Sequence, residues 1–245
     1  DLRCAQSSDE TWNVSPRINE GRKQFHNLNF LKGKQYVTPI GVWDILDTSQ
    51  NIRNENEIIF VGTVLQKQGL HKVIESLPSI LTENKNVTLT VIGDGEYMPF
   101  IKSLINSLNL QKHVSLLGLV EDRKEVFQRL SKASVAVATY DPSIASFSYY
   151  ADPTKYKDYL SAGLPMVMTD VAHNCAEIAA NGCGVIVAYD TTEIAQAILR
   201  LIKSPDCVVE HSKRSISYVR QFHWSKIFSK RLEQLFADQG AMPPS

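Results

Sequence analysis

From Ile58 onward the chain alternates short apolar runs with amphipathic stretches, and that rhythm leaves few folds open. The runs are Ile58–Gly62, Val87–Ile92, Val114–Leu117, Val135–Thr139, Pro165–Thr169 and Gly184–Ala188. Each is short and rich in β-branched or apolar residues, the mark of a strand covered on both faces. Helical patterns lie between them. Leu70, Val73, Ile74 and Leu77 recur at i, i+3, i+4 and i+7, with Pro78 placed to kink or end that helix. Others cover Tyr97–Leu108, Arg123–Lys132, Pro153–Ala162, Cys175–Asn181 and Thr192–Lys203. Strand and helix in alternation predict an α/β fold, a doubly wound parallel six-stranded sheet of Rossmann-like type.

Residues 1–56 break the rhythm. Ser15-Pro16 reads as an N-cap with proline at the first helical position, opening a helix to about Asn27. Gln35–Pro39 reads as a lone strand and Thr48–Asn56 as a polar linker. The chain begins at Asp1 rather than Met, so its start reads as a cut end and residues 1–56 as the remnant of a preceding domain with its linker. At the other end Trp224, Ile227, Phe228, Leu232, Leu235 and Phe236 form one stripe on a closing helix. The division expected is 1–56, a main domain over 57–238, and a frayed tail over 239–245.

Charge and cysteine usage narrow the function classes. Lys plus Arg equals Asp plus Glu, 26 each, which argues against nucleic acid or a polybasic membrane face as partner. The four cysteines, Cys4, Cys175, Cys183 and Cys207, form no C-x-x-C pair and lack histidines at ligand spacing, so no metal site is expected. Cys175 and Cys183, in apolar surroundings, read as reduced core thiols of a cytoplasmic protein. No run approaches the roughly 18 apolar residues of a membrane span.

In an open parallel sheet, ligands sit outside the carboxyl ends of the strands. Four strand-end loops carry unusual residues. Gly62-Thr63-Val64-Leu65-Gln66-Lys67-Gln68-Gly69 offers glycine amides and a lysine to an anion, without the G-K-[ST] of a Walker loop. Gly93-Asp94-Gly95 resembles the start of a dinucleotide fingerprint, but Pro99 and Phe100 stand where its third glycine belongs, so it reads as a tight turn. Leu117-Gly118-Leu119-Val120 leads into Asp122 and Glu125 at capping-box spacing. The fourth loop opens a short helix, with Asp152 as N-cap, Pro153 at the first position and Gly163 after its end. Lys155 lies in that first turn, where a cation opposes the helix dipole unless an anion faces it. Asp158, three residues on, could take a ribose, or could simply pair with Lys155 on a capped surface helix. Both readings stay open.

Taken in order, Gly62 to Gly69, Ile92 to Gly95, Gly118, and Asp158 through Pro165 resemble the group 1 (family 4) retaining glycosyltransferases, from about Ile58 to Phe236. That resemblance implies half of a two-Rossmann-domain (GT-B) enzyme, the half that binds a nucleotide diphosphate sugar. Trp12 to Pro16 and Tyr36 to Val42 look like the end of the family's acceptor domain and its crossover. Phe222-His223-Trp224 looks like the segment returning to that domain. By likeness Gly62, Thr63, Lys67 and Gly69 border the donor diphosphate, and Lys155 with Pro153 and Thr154 holds it. Leu119 and Val120 flank the base, and Asp158 takes the ribose. Asp152, Lys155 and Asp158 form the expected catalytic set.

The departures are specific. Thr63 stands where the family often has arginine, and Gln68 where it usually has lysine. Of the family's paired glutamates, the second position is Asp158 and the first is Tyr150, with Asp152 the nearest acid. Some members share the D-P-T-K form.

The expected activity is retaining hexosyl transfer from a UDP- or GDP-sugar to a glycan or lipid-linked acceptor bound by the absent domain. No cofactor is required, and peripheral contact with the inner face of a membrane is implied. Thr63, Gln68 and Tyr150 suggest the alternative of a non-catalytic nucleotide-sugar sensor. A nucleotide-sugar epimerase would have to use His173 and Glu177.

Overall fold

The computed structural model describes residues 2–26, 33–47 and 53–238. The expected alternation becomes β3 (Glu57–Val61), α3 (Leu70–Glu83), β4 (Thr88–Ile92), α4 (Met98–Ser107), β5 (Val114–Leu116), α5 (Arg123–Lys132), β6 (Val135–Ala138), α6 (Thr154–Ser161), β7 (Met166–Met168), α7 (Cys175–Ala180), β8 (Gly184–Ile186) and α8 (Thr191–Ile202). The strands form one six-stranded sheet in the order β5-β4-β3-β6-β7-β8, every pair parallel.

Both faces of that sheet are covered. Ile58, Phe60, Val135 and Val137 pack against α3 and α8 through Val73, Leu77 and Ile198. Ile59, Ala136, Met166 and Met168 point to the other face, against Tyr156, Tyr159 and Leu160 of α6 and Ile178 of α7. Side chains of one strand therefore serve two cores, which is why the runs show no polar alternation.

Three expectations change. Pro78 neither ends nor breaks α3: it lies on the exposed face, while buried Leu77 and Ile80 carry the apolar stripe past it. A helix that the periodicity did not predict, α9 (Pro205–Val219), packs on α6 and α8 before α10 (Trp224–Asp238) begins. The strand near residue 35 is not alone: β2 (Lys34–Val37) pairs in parallel with β1 (Glu10–Asn13).

The amino-terminal segment is tied to the rest at both ends of the chain. After α1 (Leu2–Ser7) and β1, Ser15 caps α2 (Arg17–His26) by accepting the Arg17 amide at 3.1 Å. The segment after β2 meets the carboxyl-terminal return, with the Val42 amide donating to the Phe222 carbonyl at 2.9 Å and the Trp224 amide to the Val42 carbonyl at 3.0 Å. Farther along α10, Arg231 is buried between Trp12 and Tyr36 and pairs with Glu10. Part of the expected linker, residues 48–52, the end of the expected first helix at Asn27, and the tail 239–245 lie outside the described residues.

The order of strands reverses between β3 and β6: the chain runs outward from β3 to β5, then returns to β3's other side at β6. A crevice forms at such a switch point, above the carboxyl ends of the two strands. Tyr159 of α6 fixes this fork. Its hydroxyl accepts the Val61 amide at 2.8 Å and lies 3.4 Å from the Val137 carbonyl, with the ring fully buried. Tyr159→Phe strands the Val61 amide in a dry site. We expect it to lower unfolding free energy by about 1–3 kcal/mol in urea titration, with an unchanged slope.

Candidate functional site

Three strand-end loops interlock to floor the crevice. The Gly62 amide donates to the Ile92 carbonyl (2.9 Å), the Gly93 amide to the Gly118 carbonyl (2.7 Å), and the Val64 amide to the Asp94 carbonyl (2.9 Å). Several glycines of this floor are sterically required, Gly93 among them, where at φ +131° a Cβ would stand 2.0 Å from the Gly62 carbonyl oxygen. Gly69, at φ +70°, would drive a Cβ to 1.6 Å from the Thr139 carbonyl oxygen. Gly62, at φ +138°, has room beside it only for one incoming group: a Cβ there would lie 3.1 Å from both Cε and Nζ of Lys155. The bare backbone of Gly62 thus forms one wall of a slot, and the slot is filled by a lysine.

That lysine is delivered by α6. Lys155 leaves the first turn of the helix and places its ammonium 4.3 Å above the Phe60 ring and 5.2 Å from the Tyr140 ring. Its hydrogen-bond partner is the side-chain oxygen of Gln68, at 2.6 Å. Burial pushes its pKa down to about 7. The expected alternative, an ion pair between Lys155 and Asp158, is not what forms. Asp158 turns instead to Arg123 at the start of α5, with Oδ1 accepting Nη2 at 2.8 Å. Its carboxyl is raised by burial, against which Arg123 pulls it down.

The remaining expected residues fall around this slot with differing exposure. Thr63 and Thr154 are exposed at the rim. Leu119 is 73% exposed and Val120 half-buried in the loop after β5, on the side from which Arg123 reaches Asp158. Lys67 does not share the slot with Lys155: its ammonium lies 4.3 Å above the ring of Phe147, in the long loop after β6. Asp122 caps α5 as predicted, accepting the Lys124 amide at 2.8 Å, whereas Glu125 pairs forward with Arg129 at 3.0 Å instead of closing a capping box. Among the described residues no three His, Cys, Asp or Glu converge as metal ligands would.

Asp152 and Pro153 require correction. Pro153, not Asp152, is the N-cap of α6, and it is buried. The Asp152 side chain is wholly inaccessible and caps nothing on α6. It accepts the Ile40 amide at 2.8 Å and Nδ2 of Asn174 at 2.9 Å, and it pairs with Lys157 at 3.1 Å. Lys157 in turn lies 3.7 Å from the centre of the Phe222 ring. Asp152 therefore pins the crossover segment, and its inaccessible carboxylate does not open onto the crevice. His173 is drawn into the same cluster, with Nε2 4.0 Å from the Asp152 carboxylate.

Tyr150, expected from the resemblance to stand where the first acid would be, is half-buried and packs against α2. A Cβ on Gly21 would stand 2.9 Å from its ring, Phe25 meets it edge-on at 6.0 Å, and its hydroxyl reaches Gln24 at 3.3 Å. Arg17 anchors the same helix by donating to the carbonyls of Val171 (2.7 Å) and Tyr149 (3.2 Å). Sequence reasoning missed Arg123 as the partner of Asp158 and Gln68 as the partner of Lys155. Both pairs join residues far apart in sequence, so no local spacing announces them.

Residues 55–204, more than half of the chain, match the family model for glycosyl transferases group 1. The chain belongs to the group 1 glycosyltransferases. It is 29% identical over 161 residues to the uncharacterized glycosyltransferase MJ1059 of Methanocaldococcus jannaschii, covering 60% of this chain and 37% of that protein. Over 191 residues it is 20% identical to the alpha-monoglucosyldiacylglycerol synthase of Acholeplasma laidlawii, covering 76% of this chain and 45% of the other. Its fold is similar to that of the pneumococcal O-GlcNAc transferase GtfA in complex with UDP and GlcNAc, with a TM-score of 0.75 at 16% identity over 96% of this chain and 46% of that one. Anabaena HepE in complex with UDP gives a TM-score of 0.75 at 14% identity, over 96% and 65%. This group 1 glycosyltransferase domain thus spans less than half the length of the two curated relatives.

For the glycosyltransferase domain, the reassignment of Asp152 has a measurable consequence. Asp152→Ala leaves Lys157 charged and unpaired in a dry site, and we expect it to lower unfolding free energy by about 3–5 kcal/mol in denaturant titration. A loss below 1 kcal/mol would contradict the buried-pair assignment.

Proposed function

We propose that this chain is the donor-binding half of a retaining glycosyltransferase that moves a hexose from a nucleotide diphosphate sugar to a glycan or lipid-linked acceptor. The observation that carries the reading is the Lys155 ammonium, seated against Gly62 at the switch point with a neutral partner. A diphosphate entering there meets the ammonium, the glycine backbone and the first amides of α6, which have no acceptor within the helix. Thr63 and Thr154 border it from the rim. Leu119 and Val120 give the base an apolar edge, and Asp158, oriented by Arg123, takes the ribose hydroxyls. The acceptor is held by a preceding domain, of which residues 1–47 are the end.

In this reading the anomeric C–O bond to the diphosphate breaks and the bonding pair leaves with the phosphate oxygen, while the acceptor hydroxyl oxygen forms the new C–O bond on the same face and its proton passes to the departing phosphate. Lys155 and the helix amides stabilise the charge as it accumulates, more than in the bound donor, and so lower the barrier. Asp152 is not part of this machinery. UDP and GDP sugars are both candidates, and the UDP seen in similarly folded glycosyltransferases makes a uridine donor the first to try. Among the described residues no helix is long and apolar enough to cross a membrane; the proposal takes contact with a lipid-linked acceptor as peripheral.

One observation favours a second reading, a nucleotide-sugar sensor. Tyr150 stands where the resemblance puts the family's first acid and packs against α2. Donor binding without transfer or hydrolysis by the longer protein would select it. The epimerase reading lacks support of this kind, because His173 is turned into the Asp152 cluster.

The test is calorimetry with UDP-glucose and GDP-mannose on this chain and on Lys155→Ala. Loss of one charge-assisted contact should weaken binding by about 10- to 100-fold, and unchanged affinity would remove Lys155 from the site. The pH dependence has a definite sign. Lys155 has a pKa of about 7 without donor, and a bound anion raises it. Below that value the ammonium is already charged, and affinity is flat. Above it binding must recruit a proton, so affinity falls with rising pH by up to about tenfold per unit. Proton uptake, read from calorimetry in buffers of different ionisation enthalpy, should appear only above that value.

A further inference from the structure

We infer that Gln68 is a positioning residue for the donor diphosphate: its neutral amide oxygen holds the Lys155 ammonium against Gly62 without cancelling the charge. The inference rests on the donor reading of the crevice and adds a residue that the reading does not contain.

Gln68 is placed rigidly. It ends the 3-10 turn Gln66–Gln68, its amide donates to the Leu65 carbonyl at 3.0 Å, and the next residue is Gly69, wedged under Thr139. From there its side-chain oxygen lies 2.6 Å from Nζ of Lys155. The other groups against that ammonium are the rings of Phe60 and Tyr140, so one oxygen and two π faces surround it and all are uncharged. An ammonium has three donors, and Gln68 takes one, leaving two to meet an anion.

The chemistry of position 68 is therefore selective. A carboxylate there would hold Lys155 equally well but would neutralise it and repel a diphosphate. An aliphatic side chain would leave the charge intact and the long, flexible lysine free to leave the slot. A second cation would push Lys155 away in the empty site. Lys67 follows the same pattern beside it, parked on the face of Phe147 and not on an acid. The cations at this end of the crevice are held by neutral partners, which preserves the positive potential that a diphosphate needs.

The experiment follows the lysine and the ligand separately in the 245-residue chain. Side-chain nitrogen-15 NMR, with the Lys155 signal assigned by Lys155→Arg, reads the titration of the ammonium, and calorimetry reads binding of UDP. Gln68→Met keeps the volume and removes the acceptor: the Lys155 midpoint should fall, because an acceptor favours the charged form, and UDP should bind about tenfold more weakly. Gln68→Glu should raise the midpoint and yet weaken UDP further. A Gln68→Met chain with an unmoved midpoint and UDP affinity within twofold of wild type would overturn the inference, whatever Lys155→Ala does. If the midpoints move as stated while wild type binds neither UDP nor GDP, the positioning of Lys155 stands and the donor reading fails.

Discussion

At the carboxyl ends of β3 and β6 two hydrogen-bonded strands come apart, and something must occupy the gap without wasting the backbone groups that it exposes. Here the occupant is one short helix. Tyr159 sends its hydroxyl up to the Val61 amide and the Val137 carbonyl, so a side chain closes the fork. Everything in the site depends on that closure. It fixes the rotation of α6, and rotation decides which of its consecutive residues face the crevice.

The division of labour along α6 follows directly. Tyr156, Tyr159 and Leu160 are buried on the sheet and supply the packing. Lys155 and Asp158, three apart and so on nearly one side, reach the crevice from different heights and find different partners, Gln68 and Arg123. Lys157 faces the opposite way and binds Asp152, which holds Ile40 of the crossover segment. A helix of eight residues thus touches the core, the crevice and the amino-terminal segment. A shift that disturbs one of these contacts disturbs the other two.

Much of this was legible beforehand, for identifiable reasons. Strands buried on both faces write themselves as unbroken apolar runs, so the sheet and its six helices could be read without tertiary information. The start of α6 was legible because aspartate, proline and a later glycine punctuate a helix in any context. What failed was the direction of a side chain. The string Asp152-Pro153 is the same whether the carboxylate bends back to its own helix or reaches across to Ile40, and only the packed crossover decides. Helix α9 was missed because its buried residues, Val208, Ser212, Ser215, Tyr218 and Val219, include two serines, which dilute the apolar stripe. The pairs Arg123–Asp158 and Gln68–Lys155 span 35 and 87 residues, beyond the reach of any spacing rule.

Lys155 and Lys157 show how little the residue type decides. They are two positions apart on one helix, and burial lowers the pKa of both. For Lys157 the carboxylate of Asp152 offsets that cost, and the pair is inaccessible, so its charge is spent within the protein. For Lys155 no carboxylate offsets it: the ammonium rests on Phe60, Tyr140 and the oxygen of Gln68. A half-buried cation without a counter-charge is a standing cost to the fold, and a bound anion relieves it. The desolvation that destabilises the empty domain is thereby returned as affinity when a diphosphate arrives. The same argument explains why the slot is built from a glycine, two rings and an amide, since any acid placed there for stability would remove the driving force for binding.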